Sequence, residues 1–246
     1  MVRVRLDRLL VDRGLVTTRS RARDLIARGC VMVNGAAETK AGTEIREGDD
    51  VSLLPDANRY VSRGAVKLSA AIHHFGFDAS GIVALDVGAS TGGFTQVLLE
   101  AGARRVYAVD VGRSQLDASL REDPRVVSLE GTDARSLSAK QVPEWVNAIV
   151  ADVSFISLTK LLPVPLSFAA PGAWLAALVK PQFEAGREAV GKGGIVRDPA
   201  DCQRAVDVVR TWLALQPGWS VEGVIESPLP GGSGNQEFLI GARRDD

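Results

Sequence analysis

Apolar positions in the first thirty residues recur at helical spacing. In the stretch RLDRLLVDRGLV, Leu6, Leu9 and Leu10 fall on one face and Gly14 supplies a stop. A second helix is predicted from Thr17 or Thr18, whose hydroxyl can cap it, through Ala22, Leu25 and Ile26 to Gly29. The pattern then shortens: Val31-Met32-Val33 reads as a strand, Asn34-Gly35 as a hairpin turn, and Val51 to Leu54 as a closing strand. Residues 1–56 therefore read as a small α+β unit and 57–63 as a short linker, which leaves 64–246 as a larger body.

In the body, helical and strand-like segments alternate. Helices are predicted near Ala65 to Phe75, Gly93 to Ala101 and Ala200 to Leu215. Strands are predicted at Ile82 to Val87, Val106 to Asp110, Ala148 to Ala151 and Trp174 to Val179. Such alternation specifies an α/β fold, a doubly wound, mostly parallel sheet with helices on both faces. The last two strands, Trp219 to Ile225 and Glu237 to Ala242, are joined by a Gly/Pro/Ser-rich loop, so they should pair antiparallel at one end of the sheet. The charge-free run from Leu161 to Val179 is long enough for a membrane span, but Pro163, Pro165, Pro171 and Gly172 make it a helix, a turn and a buried strand.

At 246 residues, 46% hydrophobic and 24% charged, the chain has the composition of an ordinary globular protein. The start of the chain carries arginines among its apolar residues and has no secretory pattern, so a cytoplasmic address and no stable membrane association are expected. Cys30 and Cys202 lack the spacing of a metal site or a disulfide framework, and no metal is expected. The net charge of −1 conceals a split: residues 1–30 hold eight arginines against Asp7, Asp12 and Asp24, a net +5, which leaves −6 for the remainder. A basic end of this kind fits a polyanion. Arg3, Arg5, Arg19, Arg21, Arg23 and Arg28 are the candidate phosphate contacts, able to position RNA without reading its bases.

The stretch SRARDLIARGCVMVNG resembles the small RNA-binding domain named after ribosomal protein S-four, which implies RNA rather than DNA or membrane as the partner. In the body, the first strand ends in Asp86-Val87-Gly88-Ala89-Ser90-Thr91-Gly92-Gly93-Phe94 and leads into a helix. Glycine lets backbone approach a ligand, and a helix N-terminus points N–H groups at it. A dinucleotide loop needs glycine where Ser90 stands; a tight turn serving packing alone is the other alternative.

LDVGASTGGFT is similar to the S-adenosylmethionine loop of class I methyltransferases, the FtsJ-like ribose methyltransferases in particular. The resemblance implies that residues 86–94 hold the donor, with Gly88, Ser90 and Gly92 around its methionine and ribose portions. Asp86 would either meet the methionyl ammonium or support the loop. Asp110, followed by Val111, would accept hydrogen bonds from the cofactor ribose, and Asp133 would either contact the adenine amino group or serve as a helix cap. Lys67, Asp152, Lys180 and Glu237 resemble the Lys-Asp-Lys-Glu tetrad of ribose 2′-O-methyltransferases, and in a doubly wound sheet strand-end residues converge on one crevice.

That chemistry suits the residue types. A ribose hydroxyl must lose its proton as it displaces a methyl group from a sulfonium, and a neutral lysine amine can accept it. Free lysine titrates near a pKa of about 10.4; a second ammonium and desolvation lower that value, and flanking carboxylates raise it. Lys180 is read as the general base, Lys67 as its electrostatic partner, Asp152 and Glu237 as orienting carboxylates. Phe155, Phe183 and Tyr60 are candidate base-stacking residues, and the loop bearing Gly186, Arg187, Gly191, Lys192, Gly193, Gly194 and Arg197 is expected to order on RNA.

Taken in order, VSRGAVKL, DVGASTGGFT, ADVSFISL, LVKPQFE, GGIVRDP and SPLPGGSGN resemble the TlyA family, whose members carry both haemolysin and ribosomal RNA cytidine 2′-O-methyltransferase names. The resemblance implies methylation of cytidine in ribosomal RNA or ribosomal subunits, large-subunit RNA first, since longer members that also modify the small subunit extend past Arg243-Arg244-Asp245-Asp246. A membrane-active haemolysin and a noncatalytic ribosome-assembly factor are the alternatives; the first needs an apolar span that the sequence lacks, the second would not need the tetrad.

Overall fold

The computed structural model describes residues 3–54, 57, 59–231 and 234–245, and it divides into two compact units, 1–63 and 64–246. Part of the expected linker, at 55, 56 and 58, lies outside the described residues.

In the first unit a short strand β1 (Arg3–Arg5) leads into helix α1 (Leu6–Asp12) and helix α2 (Arg19–Ala27). Strands β2 (Val31–Val33), β3 (Ala36–Glu38), β4 (Glu44–Arg46) and β5 (Val51–Leu53) follow. Helix α1 stops at Gly14, whose φ of +68° suits a residue without a side chain. The Thr18 hydroxyl accepts a hydrogen bond from the Arg21 amide at 3.2 Å and so caps α2. Leu6, Leu10, Leu25 and Ile26 are wholly buried between the two helices and the strands, whereas Leu9 is only half-buried. At Asn34-Gly35 both residues have positive φ (+51° and +77°), the geometry of a two-residue hairpin, and the resulting sheet has the order β3-β2-β5. The antiparallel β1–β4 pair was not expected, because Arg-Val-Arg and Glu-Ile-Arg are too short to display a period.

The second unit runs α3 (Gly64–Phe75), β6 (Val83–Val87), α4 (Gly93–Glu100), β7 (Arg105–Asp110), α5 (Ala118–Arg121) and β8 (Val126–Glu130). It continues through β9 (Val146–Ala151), α6 (Leu158–Leu161), α7 (Pro163–Leu166), β10 (Ala169–Val179), α8 (Pro181–Glu184), α9 (Pro199–Ala214), β11 (Trp219–Glu226) and β12 (Phe238–Arg244). Seven strands form one sheet in the order β11-β12-β10-β9-β6-β7-β8, in which β12 runs antiparallel to both its neighbours. The β6 strand is buried along its whole length, as a parallel strand covered on both faces must be. Chain order reverses at β6: the next two strands lie on one side of it and β9 and β10 on the other. This reversal opens a crevice at the C-terminal ends of β6 and β9.

One expectation is corrected. The turn read at Pro171-Gly172 lies inside β10, which begins at Ala169 and absorbs the proline and glycine through a register irregularity against β9 between Ala169 and Trp174. The predicted helix before it is two four-residue turns, α6 and α7. Among the described residues no helix is long and apolar enough to cross a membrane.

Replacing Thr18 with alanine leaves an α2 amide without its partner. The expected outcome is a loss of about 1 kcal/mol in the stability of the first unit, read by denaturant unfolding; an unchanged midpoint would show the cap to be dispensable.

Candidate active site

The floor of the crevice is the β6–α4 turn. Gly88, Ser90 and Gly92 all have positive φ, at +86°, +48° and +97°. A side chain on Gly88 would put its Cβ 2.4 Å from the Asp152 carbonyl oxygen, so glycine here lets the loop lie against the end of β9. At Gly92 a Cβ would collide with Leu120 and Leu116, so this glycine serves packing. Ser90 is held in its left-handed conformation by its amide, which donates to Asp110 Oδ2 at 2.8 Å.

Above this floor lies a cavity of about 1160 Å³ whose wall includes Gly88, Ser90, Asp110, Val111, Asp133 and Asp152. Of the expected cofactor residues, these line it, and Asp86 lies buried within β6. Ala89, Gly92, Gly93 and Phe94 are buried and Thr91 half-buried, and none of the five is in the wall, because α4 turns this stretch inward against the sheet. Asp110 also accepts from the Gly112 amide at 2.7 Å, which leaves each oxygen a further acceptor site. For Asp133 the capping alternative is realised: its side chain accepts from the Arg135 amide at 2.9 Å and pairs with the Arg135 guanidinium at 2.6 Å, which holds the carboxyl below its ordinary range. Val111, by contrast, is a 73% exposed valine on the cavity wall.

The four tetrad candidates form two ion pairs. Lys180 Nζ lies 2.6 Å from Asp152 Oδ1 and 3.1 Å from Ser154 Oγ, at the ends of β10 and β9. Lys67 Nζ, from α3, lies 2.5 Å from Glu237 Oε2, both almost fully buried. Because Val179 opposes Phe238 across β10 and β12, antiparallel register puts Glu237 opposite Lys180. The sheet therefore sets the two pairs side by side at the end of β10; of the four residues Asp152 is in the cavity wall, and Lys67, Lys180 and Glu237 are not. The glycine-rich loop expected to order on RNA is already tied down, since Asn235 accepts from the Val196 amide and donates to the Gly194 carbonyl, both at 2.9 Å.

Two features escaped the sequence reading, the roles of Glu184 and Gln182. Glu184 accepts from Ser157 Oγ at 2.6 Å and from the Leu158 amide at 2.8 Å, and so ties α8 to the start of α6. Gln182 lines the cavity, and its Oε1 is buried without a hydrogen-bond partner. Phe155 is 92% exposed with φ +68°, its ring 5.2 Å from that of Phe183. Of the other stacking candidates, Tyr60 lies outside this unit and carries the Arg59 guanidinium over its ring.

Asp86 is the most unusual group. It is wholly buried; Oδ2 accepts from the Thr95 hydroxyl at 2.6 Å and Oδ1 has no partner. Burial, against the Thr95 hydrogen bond and aided by the charges of Asp152 and Asp110, pushes its carboxyl up to about 7. A buried carboxylate with an orphan oxygen beside two further carboxylates is a site prepared for a cation. Among the described residues no cluster could hold a metal ion.

The family profile described as FtsJ-like methyltransferase matches residues 60–244, and an S4 domain profile matches residues 4–51. The 16S/23S rRNA (cytidine-2′-O)-methyltransferase TlyA of Mycobacterium tuberculosis is 46% identical over 242 residues, covering 98% of this chain and 90% of the relative. The 23S rRNA (cytidine-2′-O)-methyltransferase TlyA of Campylobacter jejuni is 33% identical over 249 residues, covering 93% of this chain and 95% of the relative. A solved structure from Streptococcus thermophilus that carries a hemolysin name is 40% identical with a TM-score of 0.77, covering 100% of this chain and 90% of that one.

A carboxyl whose folded pKa is raised adds stability that is complete below its unfolded pKa and is lost as the pH rises through the folded value. For Asp86 that window runs from about 4 to about 7. Relative to Asp86→Asn, the native protein should lose on the order of 4 kcal/mol between pH 4 and pH 8. Denaturant unfolding at a series of pH values reads this, and parallel curves for the two proteins would refute it.

Proposed function

The chain belongs to the TlyA group of FtsJ-like methyltransferases, and from that premise we propose that it methylates the ribose 2′-oxygen of cytidine in ribosomal RNA, large-subunit RNA first. Both named relatives act on 23S rRNA, which supports that order. The observation that carries the reading is the Lys180–Asp152 pair, with Asp152 on the cavity wall and Lys67–Glu237 joined to it through the β10–β12 register.

S-adenosylmethionine is the cofactor of this enzyme and supplies an electrophilic methyl group on a sulfonium. The residues present suit a cationic, ribose-bearing group. Asp86 offers an orphaned buried acceptor, Asp110 offers free acceptor sites at the rim, and the exposed Val111 offers an apolar wall for a base. Gly88 and Ser90 form the floor.

In this reading Lys180 is the group that takes the proton from the ribose hydroxyl. Asp152, which is on the cavity wall, and Ser154 hold its Nζ at the strand end. Lys67 and Glu237 close the buried side as a neutral pair and keep water from that flank. Phe155 and Phe183 at the cavity suit stacking on an unpaired base. The cytoplasm, where ribosomal RNA is made, is the location this substrate requires.

The test is transfer of a radiolabelled methyl group to unmodified large-subunit RNA, with the product ribose mapped. Lys180→Ala should lower turnover by about 10²- to 10⁴-fold while S-adenosylmethionine affinity changes by less than about twofold. Near-normal turnover would reject the role of Lys180, and label confined to a base nitrogen or carbon would reject ribose chemistry altogether.

A further inference from the structure

The six candidate RNA arginines do not form one uniform basic face. Arg3 is paired with Glu44 at 2.9 Å, a neutral exposed pair. Arg21 and Arg28 share Asp24, each at 2.7 Å, and Arg28 also donates to the Tyr60 carbonyl. The remaining three converge on a single carboxylate. Asp7 is completely buried; its Oδ1 accepts from Arg5 Nε at 3.1 Å, and its Oδ2 accepts from Arg19 Nη2 at 2.8 Å, Arg23 Nε at 3.1 Å and Arg5 Nη2 at 3.3 Å. Hydrogen bonds from Arg5, then from Arg19 and Arg23, hold this carboxyl far below its ordinary range against the effect of burial, so it is a permanent anion.

The three arginine side chains are nevertheless about half exposed, at 53%, 52% and 58%. Each guanidinium carries five N–H donors in a rigid plane, and each spends only one or two on Asp7. What is left is a fan of fixed, outward-facing donors with a net charge of +2. Three free arginines would each have to surrender side-chain entropy on meeting a ligand; here that ordering has been accomplished in the folded protein.

We propose that Arg5, Arg19 and Arg23 form a preorganised cradle for an RNA phosphodiester and that Asp7, which never touches the RNA, is the positioning residue that builds it. The cradle rests on the reading of ribosomal RNA as substrate and adds where the first unit grips it. It positions the RNA by its backbone and reads no sequence.

Charge and geometry make opposite predictions for one substitution. Asp7→Asn raises the charge of this face by one. If charge alone set affinity, the variant would bind RNA more tightly; if the cradle sets it, the guanidinium planes are released and binding weakens. The full-length protein is titrated with deproteinised large-subunit ribosomal RNA at fixed salt, with circular dichroism and thermal unfolding as fold checks. The expected result is affinity about tenfold weaker for Asp7→Asn despite the added charge. The double variant Arg19→Lys with Arg23→Lys keeps the charge, lacks the planar fork, and should also lose about tenfold. In the methyl-transfer assay the KM for RNA should rise by about the same factor in both variants.

A folded Asp7→Asn protein that binds as tightly as the native one or more so overturns the cradle, as does native affinity in the double lysine variant. If Asp7→Asn fails to fold, the double variant decides alone. Native protein with no affinity for this RNA overturns the substrate reading and the cradle with it, whereas RNA binding that is intact in native protein and indifferent to these substitutions overturns the cradle only.

Discussion

Carboxylates gathered at the ends of parallel strands repel one another, and the active-site unit is built around that repulsion. Chain order reverses at β6, which leaves Asp110 at the end of β7 and Asp152 just past β9 on the wall of one crevice, with Asp86 buried in β6 close enough to feel both charges. In water three such groups would ionise together. Here the innermost is buried beside the other two and keeps its proton toward neutrality, while Asp152 is balanced by Lys180. The remaining unmet charge and the orphan oxygen of Asp86 favour a cationic occupant, which a sulfonium carrying an ammonium is. Donor affinity and methyl-transfer geometry thus draw on one arrangement of strand ends.

The same physics with the opposite sign organises the first unit. Asp86 and Asp7 are both wholly buried aspartates, yet one is pushed up to about 7 and the other is held far below its ordinary range. Burial pushes both upward, and only at Asp86 is it the leading influence. The difference lies in the neighbours: a hydroxyl and two carboxylates around Asp86, three guanidiniums around Asp7. A buried carboxylate is therefore no fixed quantity, and its role follows from the charges that the fold brings to it.

Much of this was legible in the sequence. The parallel strands announce themselves as uninterrupted apolar runs, the hairpin as Asn34-Gly35 and the α2 cap as a threonine. The tetrad came from resemblance, since no spacing rule joins Lys67 to Glu237 across 170 residues; only the packing of α3 against β12 does. Illegible features are those decided by competition among neighbours. Asp133 is both a cap paired with Arg135 and part of the cavity wall, a combination that the sequence does not display. The glycine at 92 looked like a ligand contact, but Leu116 and Leu120 require it. A proline and a glycine read as a turn at 171 and 172 because a strand that continues through a register irregularity has no local signature. The arginines looked alike because a sequence lists charges without their partners.

The division of net charge along the chain, +5 in the first thirty residues and −6 in the rest, has the same sense as these two sites. A pocket for a cationic donor must be acidic, and an acidic pocket repels the phosphates of the acceptor strand. A uniformly basic enzyme would hold RNA well and the donor poorly; a uniformly acidic one would do the reverse. On the proposed reading, phosphate contacts carried by the basic unit relieve that conflict, and the tetrad is left as two lysines paired with two carboxylates. RNA affinity would then be tuned through the arginines of one unit and proton handling through the strand ends of the other, by different residues.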